Sequence, residues 1–572
     1  MTAIPENIGQ FYLGTETLPD AGTPVLYDAA DLTTHAVIIG MTGSGKTGLG
    51  ITLLEEAALD GIPVIAIDPK GDLGNLALNF PARRAADFVP YADAASLAQS
   101  GQTADAWAAA TAQKWGEGID ASQQSAARQE ALAAANPVHI YTPGGEHGLP
   151  LSLLAHLGAP DPAIQGEREA YADYLDSTAA ALLALVGEAG DSTSPAQLYL
   201  AHILKHHWDA GRDLDLAQLI SEIQNPPMAQ IGVLPVAQVY PAKARDKLAL
   251  AFNNLLAAPG FSAWLQGAPL DSQQLLYDAQ NRAQTSIINI AHLNDAERMT
   301  LVTLLLGNLI AWMRRQSGSN TLRAILYMDE LYGYLPPSAN PPSKKPLLTL
   351  LKQARAYGLG LVLSTQNPVD LDYKALANAG TWLIGRMQTA QDRARVADGL
   401  TSASAQGLDR ATLETWFDHI DKRRFLLHNI HEAQPCILQS RHAMSYLAGP
   451  LSREHIRAIT AADPRRAIAS VAAENSGHDS PPPALPAGIS RYYLPNENSG
   501  GMTHYYPIAL ASVRLYYRDA KSNTRHEQTL LLQAPIDENG IDWSQSQTAP
   551  VAADQLQTAP HQPCQHHPAP AR

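Results

Sequence analysis

Two hydrophobic periods alternate along this chain. Short, mostly apolar runs recur at Ala36–Ile39, Val64–Ile67, Val138–Tyr141, Ser286–Ile290, Ala324–Met328, Gly360–Ser364 and Thr381–Gly385. Runs of that length, rich in Val, Ile and Leu, predict strands of a parallel sheet buried on both faces. Between them, apolar residues return every three or four positions, as at Leu49, Leu53, Leu54 and Ala57. The same spacing predicts helices over Ala170–Val186, Gln197–Trp208, Lys243–Leu256 and Ala296–Arg315. Strands alternating with helices predict an α/β fold. Phe425–His428 and Pro435–Gln439 predict a closing β-hairpin.

The spacing also divides the chain. Residues 1–34 hold two short strand-like pieces broken by Gly and Pro, a small β lead-in. Residues 35–160 carry the first part of the strand–helix core. Residues 161–280 are helical throughout, punctuated by Pro226-Pro227 and Pro259-Gly260, and predict an insertion. Residues 281–465 complete the core. Within 466–544, Ser480–Pro483 reads as a linker, and Tyr505–Tyr517 pairs with Gln528–Ala534 in a small β module. Residues 545–572, rich in Gln, Ala, Pro and His, have too little apolar content to predict folding.

Composition narrows the class. With 45% hydrophobic and 17% charged residues, the chain supports a sizeable core. Its longest apolar stretch, Met299 to Met313, is short for a membrane span and is flanked by Arg298 and Arg314. No signal-peptide pattern opens the chain, and its two cysteines lack metal spacing, so a reducing cytoplasm is expected. A net charge of −15 argues against a broadly basic surface that coats nucleic acid.

The chemistry concentrates at strand ends. Gly40-Met41-Thr42-Gly43-Ser44-Gly45-Lys46-Thr47 fits G-x-x-x-x-G-K-[ST] without mismatch, between a predicted strand and a predicted helix. Such a loop turns main-chain N–H groups toward phosphate oxygens. Lys46 is expected to reach the β- and γ-phosphates of ATP, and the Thr47 hydroxyl to ligate Mg²⁺. The run ending in Asp329-Glu330 has the Walker B form: Asp329 for the metal, Glu330 as general base toward water. Gln366, at another strand end, is placed to sense the γ-phosphate. Asp68 and Asp72 either touch the metal shell or build a turn from Asp68-Pro69-Lys70-Gly71. Lys344 and Lys345, in a Pro-rich stretch after Walker B, are the better candidate DNA contacts; Lys243, Arg245 and Lys247 are the weaker set.

Together these motifs resemble the HerA/FtsK superfamily of P-loop ATPases, closest to HerA-like helicases. The residues carrying the resemblance are His35, the loop at 40–47, the IDPKGDL stretch at 67–73 and the YMDE at 327–330. The segment 354–368 and the Ile384-Gly385-Arg386 strand end complete it. The resemblance covers about residues 8–460. It implies a RecA-like core with an additional strand, a homo-hexameric ring, ATP-driven translocation of double-stranded DNA, and often a nuclease partner. Its inter-subunit arginine maps onto Arg386 or Arg355. Two features depart from the family: its N-terminal β-barrel is reduced to residues 1–34, and the stretch after 465 has no counterpart. A transport motor for a secretion or conjugation apparatus, or a nucleotide-dependent switch in a defence complex, would share the same core.

Overall fold

The computed structural model describes residues 7–466 except 136, 154–156, 189–192, 259, 368–371, 377–378 and 404–409. Beyond that it describes 492–494, 503–519, 524–537, 540–552, 555–557 and 564–566. The linker expected at 480–483 lies outside the described residues.

Eleven strands form one sheet. In chain order they are β1 (Gln10–Leu18), β2 (Pro24–Asp28), β3 (Ala36–Ile39), β4 (Val64–Asp68), β5 (Val138–Tyr141) and β6 (Thr285–Asn289). They continue as β7 (Ser319–Met328), β8 (Tyr357–Thr365), β9 (Thr381–Ile384), β10 (Arg424–Asn429) and β11 (Cys436–Ser440). Across the sheet the order is β2-β1-β11-β10-β9-β3-β8-β7-β4-β6-β5. From β9 to β5 every neighbour is parallel; β10, β11, β1 and β2 extend the sheet antiparallel.

The parallel strands are apolar on both faces because both faces are covered. Val37, Ile39, Ile65, Ile67, Leu326 and Met328 enter one buried cluster, while Ala36, Ile38, Val64, Ala66, Ile325 and Tyr327 enter the other. The second face receives helix α1 (Lys46–Leu59). Close approach there depends on Gly50, since a Cβ at that position would lie 2.2 Å from the Tyr327 hydroxyl. The first face receives α2 (Arg168–Leu185) from the insertion and α3 (Asp295–Arg314). Asn294 and Glu297 start α3 with a reciprocal capping box, and Thr300 Oγ1 donates to the Ala181 carbonyl at 3.1 Å, tying the two helices together. The core is thus an α/β sheet of RecA-like type with an added strand and a helical insertion, and a separate small antiparallel β module follows it.

One sequence expectation changes. The N-terminal β pieces join the main sheet: β1 pairs with β11 and carries β2 at the sheet edge. Phe11, Tyr12 and Leu13 are all buried, and Phe11 and Leu13 pack into the second cluster. In the C-terminal module Ile508–Asp519 pairs antiparallel with Thr524–Asp537. The expected disorder over 545–572 is interrupted by strand pairing: Gln547–Thr548 adds to Leu532–Gln533, and Cys564–His566 lies beside Thr503–Tyr505. Unpaired main chain at a strand edge can recruit a polar segment whatever its side chains.

A buried ionic cluster fastens α1 to the antiparallel extension. Arg441, fully buried just after β11, donates to Glu55 Oε2 at 2.8 Å, Glu56 Oε1 at 2.7 Å and the Tyr12 carbonyl at 2.9 Å. Arg128 donates to the other oxygen of Glu56 at 2.6 Å. Removing one partner of such a cluster strands buried charge. Arg441→Met is therefore expected to lower unfolding stability by about 3–5 kcal/mol, read from urea denaturation of the full chain.

Candidate nucleotide site

The sheet order builds this site. β8 lies between β3 and β7, so the residues after Thr365 sit between the glycine loop and the acids that follow Met328. In parallel sheets the carboxyl ends of the strands line the ligand crevice.

The loop after β3 is held from both sides. The Gly40 N–H donates to the Thr365 carbonyl at 3.2 Å, and the Met41 N–H donates to the Arg386 carbonyl at 2.9 Å. Gly43 and Gly45 take φ of 80° and 99°, the left-handed region that suits glycine. Behind the loop, the Arg423 N–H donates to the Ser44 carbonyl at 2.7 Å, and a Cβ on Gly45 would lie 2.9 Å from Arg423 Cγ. The Ser44 hydroxyl is buried without a hydrogen-bond partner. Lys46 opens α1 with Thr47 beside it, half-buried.

Lys46 and the acids meet directly. Lys46 Nζ lies 2.9 Å from Asp329 Oδ1 and 2.7 Å from Ser364 Oγ, and Ser364 Oγ lies 3.1 Å from the same Asp329 oxygen. Asp329 is fully buried, and its Oδ2 has no hydrogen-bond partner. A buried carboxylate oxygen left without a donor fits a divalent cation or one of its water ligands. Asp329 and Thr47 are accordingly the residues that suit Mg²⁺. Glu330 follows at φ 55°, a left-handed conformation uncommon for a residue with a side chain. That turn separates its carboxylate from that of Asp329. Thr42 Oγ1 donates to Gln366 Oε1 at 2.8 Å, joining the proposed sensor to the phosphate loop.

The two aspartates after β4 separate in role. Asp68 is fully buried and accepts main-chain N–H groups from Lys70, Gly71, Asp72 and Leu73, at 3.2, 2.7, 3.2 and 2.9 Å. It is the keystone of a turn. Burial pushes its carboxyl up to about 7, with nearby Asp329 adding to the shift and the N–H donors opposing it. Asp72 remains half-buried, raised first by burial and then by Asp329, with Lys70 and Lys46 opposing. The turn also delivers Lys70, whose Nζ lies 2.7 Å from Glu330 Oε2. The sequence reading assigned no role to Lys70 or Arg423; Lys70 stood within a quoted motif, and nothing local to Arg423 marks it.

The candidate DNA contacts are committed elsewhere. Lys344 follows the Pro-rich stretch, begins a helix, Lys344–Gln353, and is 8% exposed. Its ammonium donates to the carbonyls of Pro337 and Ala339 and pairs with Asp372 at 3.2 Å. Lys345 pairs with Asp173 at 3.0 Å and Asp176 at 3.2 Å. In the weaker set, Lys247 pairs with Glu188 at 2.7 Å and Arg245 donates to the Gln224 carbonyl at 3.1 Å.

Residues 8–154, about a quarter of the chain, match the family model described as Helicase HerA, central domain. No curated protein matches. Among solved structures, VirB4 of Thermoanaerobacter pseudethanolicus is similar at 13% identity and a TM-score of 0.46, over 77% of this chain and 99% of that one. The bacterial conjugative coupling protein TrwBdeltaN70 is similar at 12% identity and a TM-score of 0.44, over 78% and 93%. The genome packaging NTPase B204 from Sulfolobus turreted icosahedral virus 2, in complex with ATP-gammaS, is similar at 16% identity and a TM-score of 0.22, over 31% and 74%.

Two substitutions separate binding from chemistry at this site. Glu330→Gln is expected to bind a non-hydrolysable ATP analogue like the parent yet lose roughly a hundredfold or more in turnover, because an amide does not accept the proton. Lys46→Ala is expected to weaken binding of the analogue itself, read by equilibrium titration.

Proposed function

We propose that this chain is one subunit of an ATP-hydrolysing ring motor of the FtsK/HerA-like P-loop superfamily that moves a macromolecular chain, a reading supported by the family match over residues 8–154. The observation that carries the ring is the place of Arg355. It is exposed, in the turn Ala354–Ala356 that precedes β8, and so lies at the amino end of a strand whose carboxyl end lines the site. Nine residues of strand span roughly 30 Å, several times the reach of an arginine side chain. Arg355 can serve a nucleotide only across an interface. Arg386 is also exposed, where the chain leaves β9, and its main-chain carbonyl rather than its side chain holds the loop of its own subunit. Arg355 is the arginine we assign to a neighbour's γ-phosphate, and Arg386 is the alternative.

Each residue then has one task. Lys46 leaves Asp329 and takes the β- and γ-phosphate oxygens of ATP. Thr47 and Asp329 would hold Mg²⁺, which would supply charge to neutralise those oxygens. Glu330 accepts the proton of the attacking water, and Gln366, joined to Thr42, reports whether the γ-phosphate is present. The neighbour's Arg355 stabilises charge that develops as the phosphoryl group departs.

Two readings of the cargo remain in play, and one observation bears on them. The matching family model is named for a helicase, which supports a nucleic-acid cargo. Lys344, buried against main-chain carbonyls and Asp372, is poorly placed to touch DNA, while Lys345 is exposed beside Asp173 and Asp176; a transport motor for a secretion or conjugation apparatus is the second reading. No helix among the described residues is long and apolar enough to cross a membrane.

ATPase assays with and without linear duplex DNA, at one stated salt concentration, separate the two. Severalfold stimulation supports a duplex translocase, and an unchanged rate supports the transport reading. For the shared site, Arg355→Ala is expected to bind ATP but to lose roughly a thousandfold in turnover. Mixing it with Glu330→Gln protein should restore part of the activity, since some interfaces then join an intact base to an intact arginine. Full activity of Arg355→Ala alone would refute the assignment.

A further inference from the structure

The register of β4 against β7 places Ile67 opposite Met328. The next residues, Asp68 and Asp329, are neighbours, and the two loops leave the sheet side by side. The four N–H donors gathered by Asp68, with Gly71 at φ 84°, fix a turn that aims Lys70 at Glu330. The contact is short, 2.7 Å from Lys70 Nζ to Glu330 Oε2, with the two side chains 30% and 20% exposed. The other oxygen of Glu330 has only long contacts, 3.3 Å to Thr365 Oγ1 and 3.4 Å to the Gln366 N–H. Both lysines of the site are thus matched to both acids, Lys46 with Asp329 and Lys70 with Glu330.

A carboxylate whose best acceptor oxygen faces an ammonium is a poor general base. The lone pair needed for the water's proton is already taking a hydrogen bond, and a proton arriving there meets a positive charge. The left-handed backbone at Glu330 adds a second restraint, because a side chain held in that conformation is kept by its surroundings rather than by local preference.

We propose that Lys70 is a positioning residue that holds Glu330 in a resting arrangement, so that hydrolysis proceeds only when this ion pair opens. The inference rests on Glu330 being the base. Lys70 touches neither water nor phosphate in this role; it acts through Glu330. Partial exposure leaves the pair open to a competing anion, as a fully buried pair would not be.

The test is steady-state ATP hydrolysis by the full chain, in the absence of any cargo, with Lys70→Met and Lys70→Arg. Methionine keeps the length of the side chain without its charge, while arginine keeps the charge. Lys70→Met is expected to raise basal kcat roughly three- to tenfold with little change in KM, and Lys70→Arg to stay near the parent. Binding of a non-hydrolysable ATP analogue should be the same in all three proteins. An unchanged or lower kcat for Lys70→Met overturns the proposal, as does loss of analogue binding, which would give Lys70 a structural role. Glu330→Gln, made in the parent and together with Lys70→Met, separates the two layers. Turnover that survives Glu330→Gln removes the base itself. A dead Glu330→Gln beside a Lys70→Met no faster than the parent removes only the restraint.

Discussion

Everything at this site depends on one constraint: a parallel sheet sends every strand's carboxyl end to the same edge. With β8 between β3 and β7, Lys46 must cross one strand to reach Asp329, and Ser364 on that strand bridges them. The pair Lys46–Asp329 then sets the state of the site. The lysine satisfies one oxygen of Asp329, while the other, buried, has no hydrogen-bond partner.

The rest of the fold keeps that edge rigid. The loop is clamped by main-chain bonds to the carboxyl end of β8 and to Arg386 and Arg423. α1, which begins at Lys46, is pressed to the sheet at Gly50 and anchored at its far end by Arg441 through Glu55 and Glu56. A change at the phosphates can therefore be carried along α1 to the antiparallel strands β1 and β11. Arg355 lies at the opposite edge of the sheet, so Gln366 follows one end of β8 and Arg355 precedes the other.

Much of this was legible in the sequence, for a physical reason. Strands buried on both faces must be continuously apolar, and Val138–Tyr141 was read to its exact ends while β6, β7 and β9 were read to within a few residues. The P-loop is legible because close main-chain approach to phosphate demands glycine at fixed spacing. What stayed hidden is what depends on pairing distant in sequence. The Lys70–Glu330 contact joins residues 260 apart, and Arg423 meets the loop only once β10 is placed. Lys344 looked free because its carbonyl partners are main chain, which no side-chain pattern reveals.

The central claim is that each site is finished by its neighbour. The most direct measurement is ATP turnover per chain across a range of protein concentrations, with the assembly state followed by sedimentation in the same solutions. Turnover per chain should rise with concentration in step with assembly and fall to near background where the chain is monomeric. Constant turnover per chain, in solutions where sedimentation shows only monomer, would contradict the account.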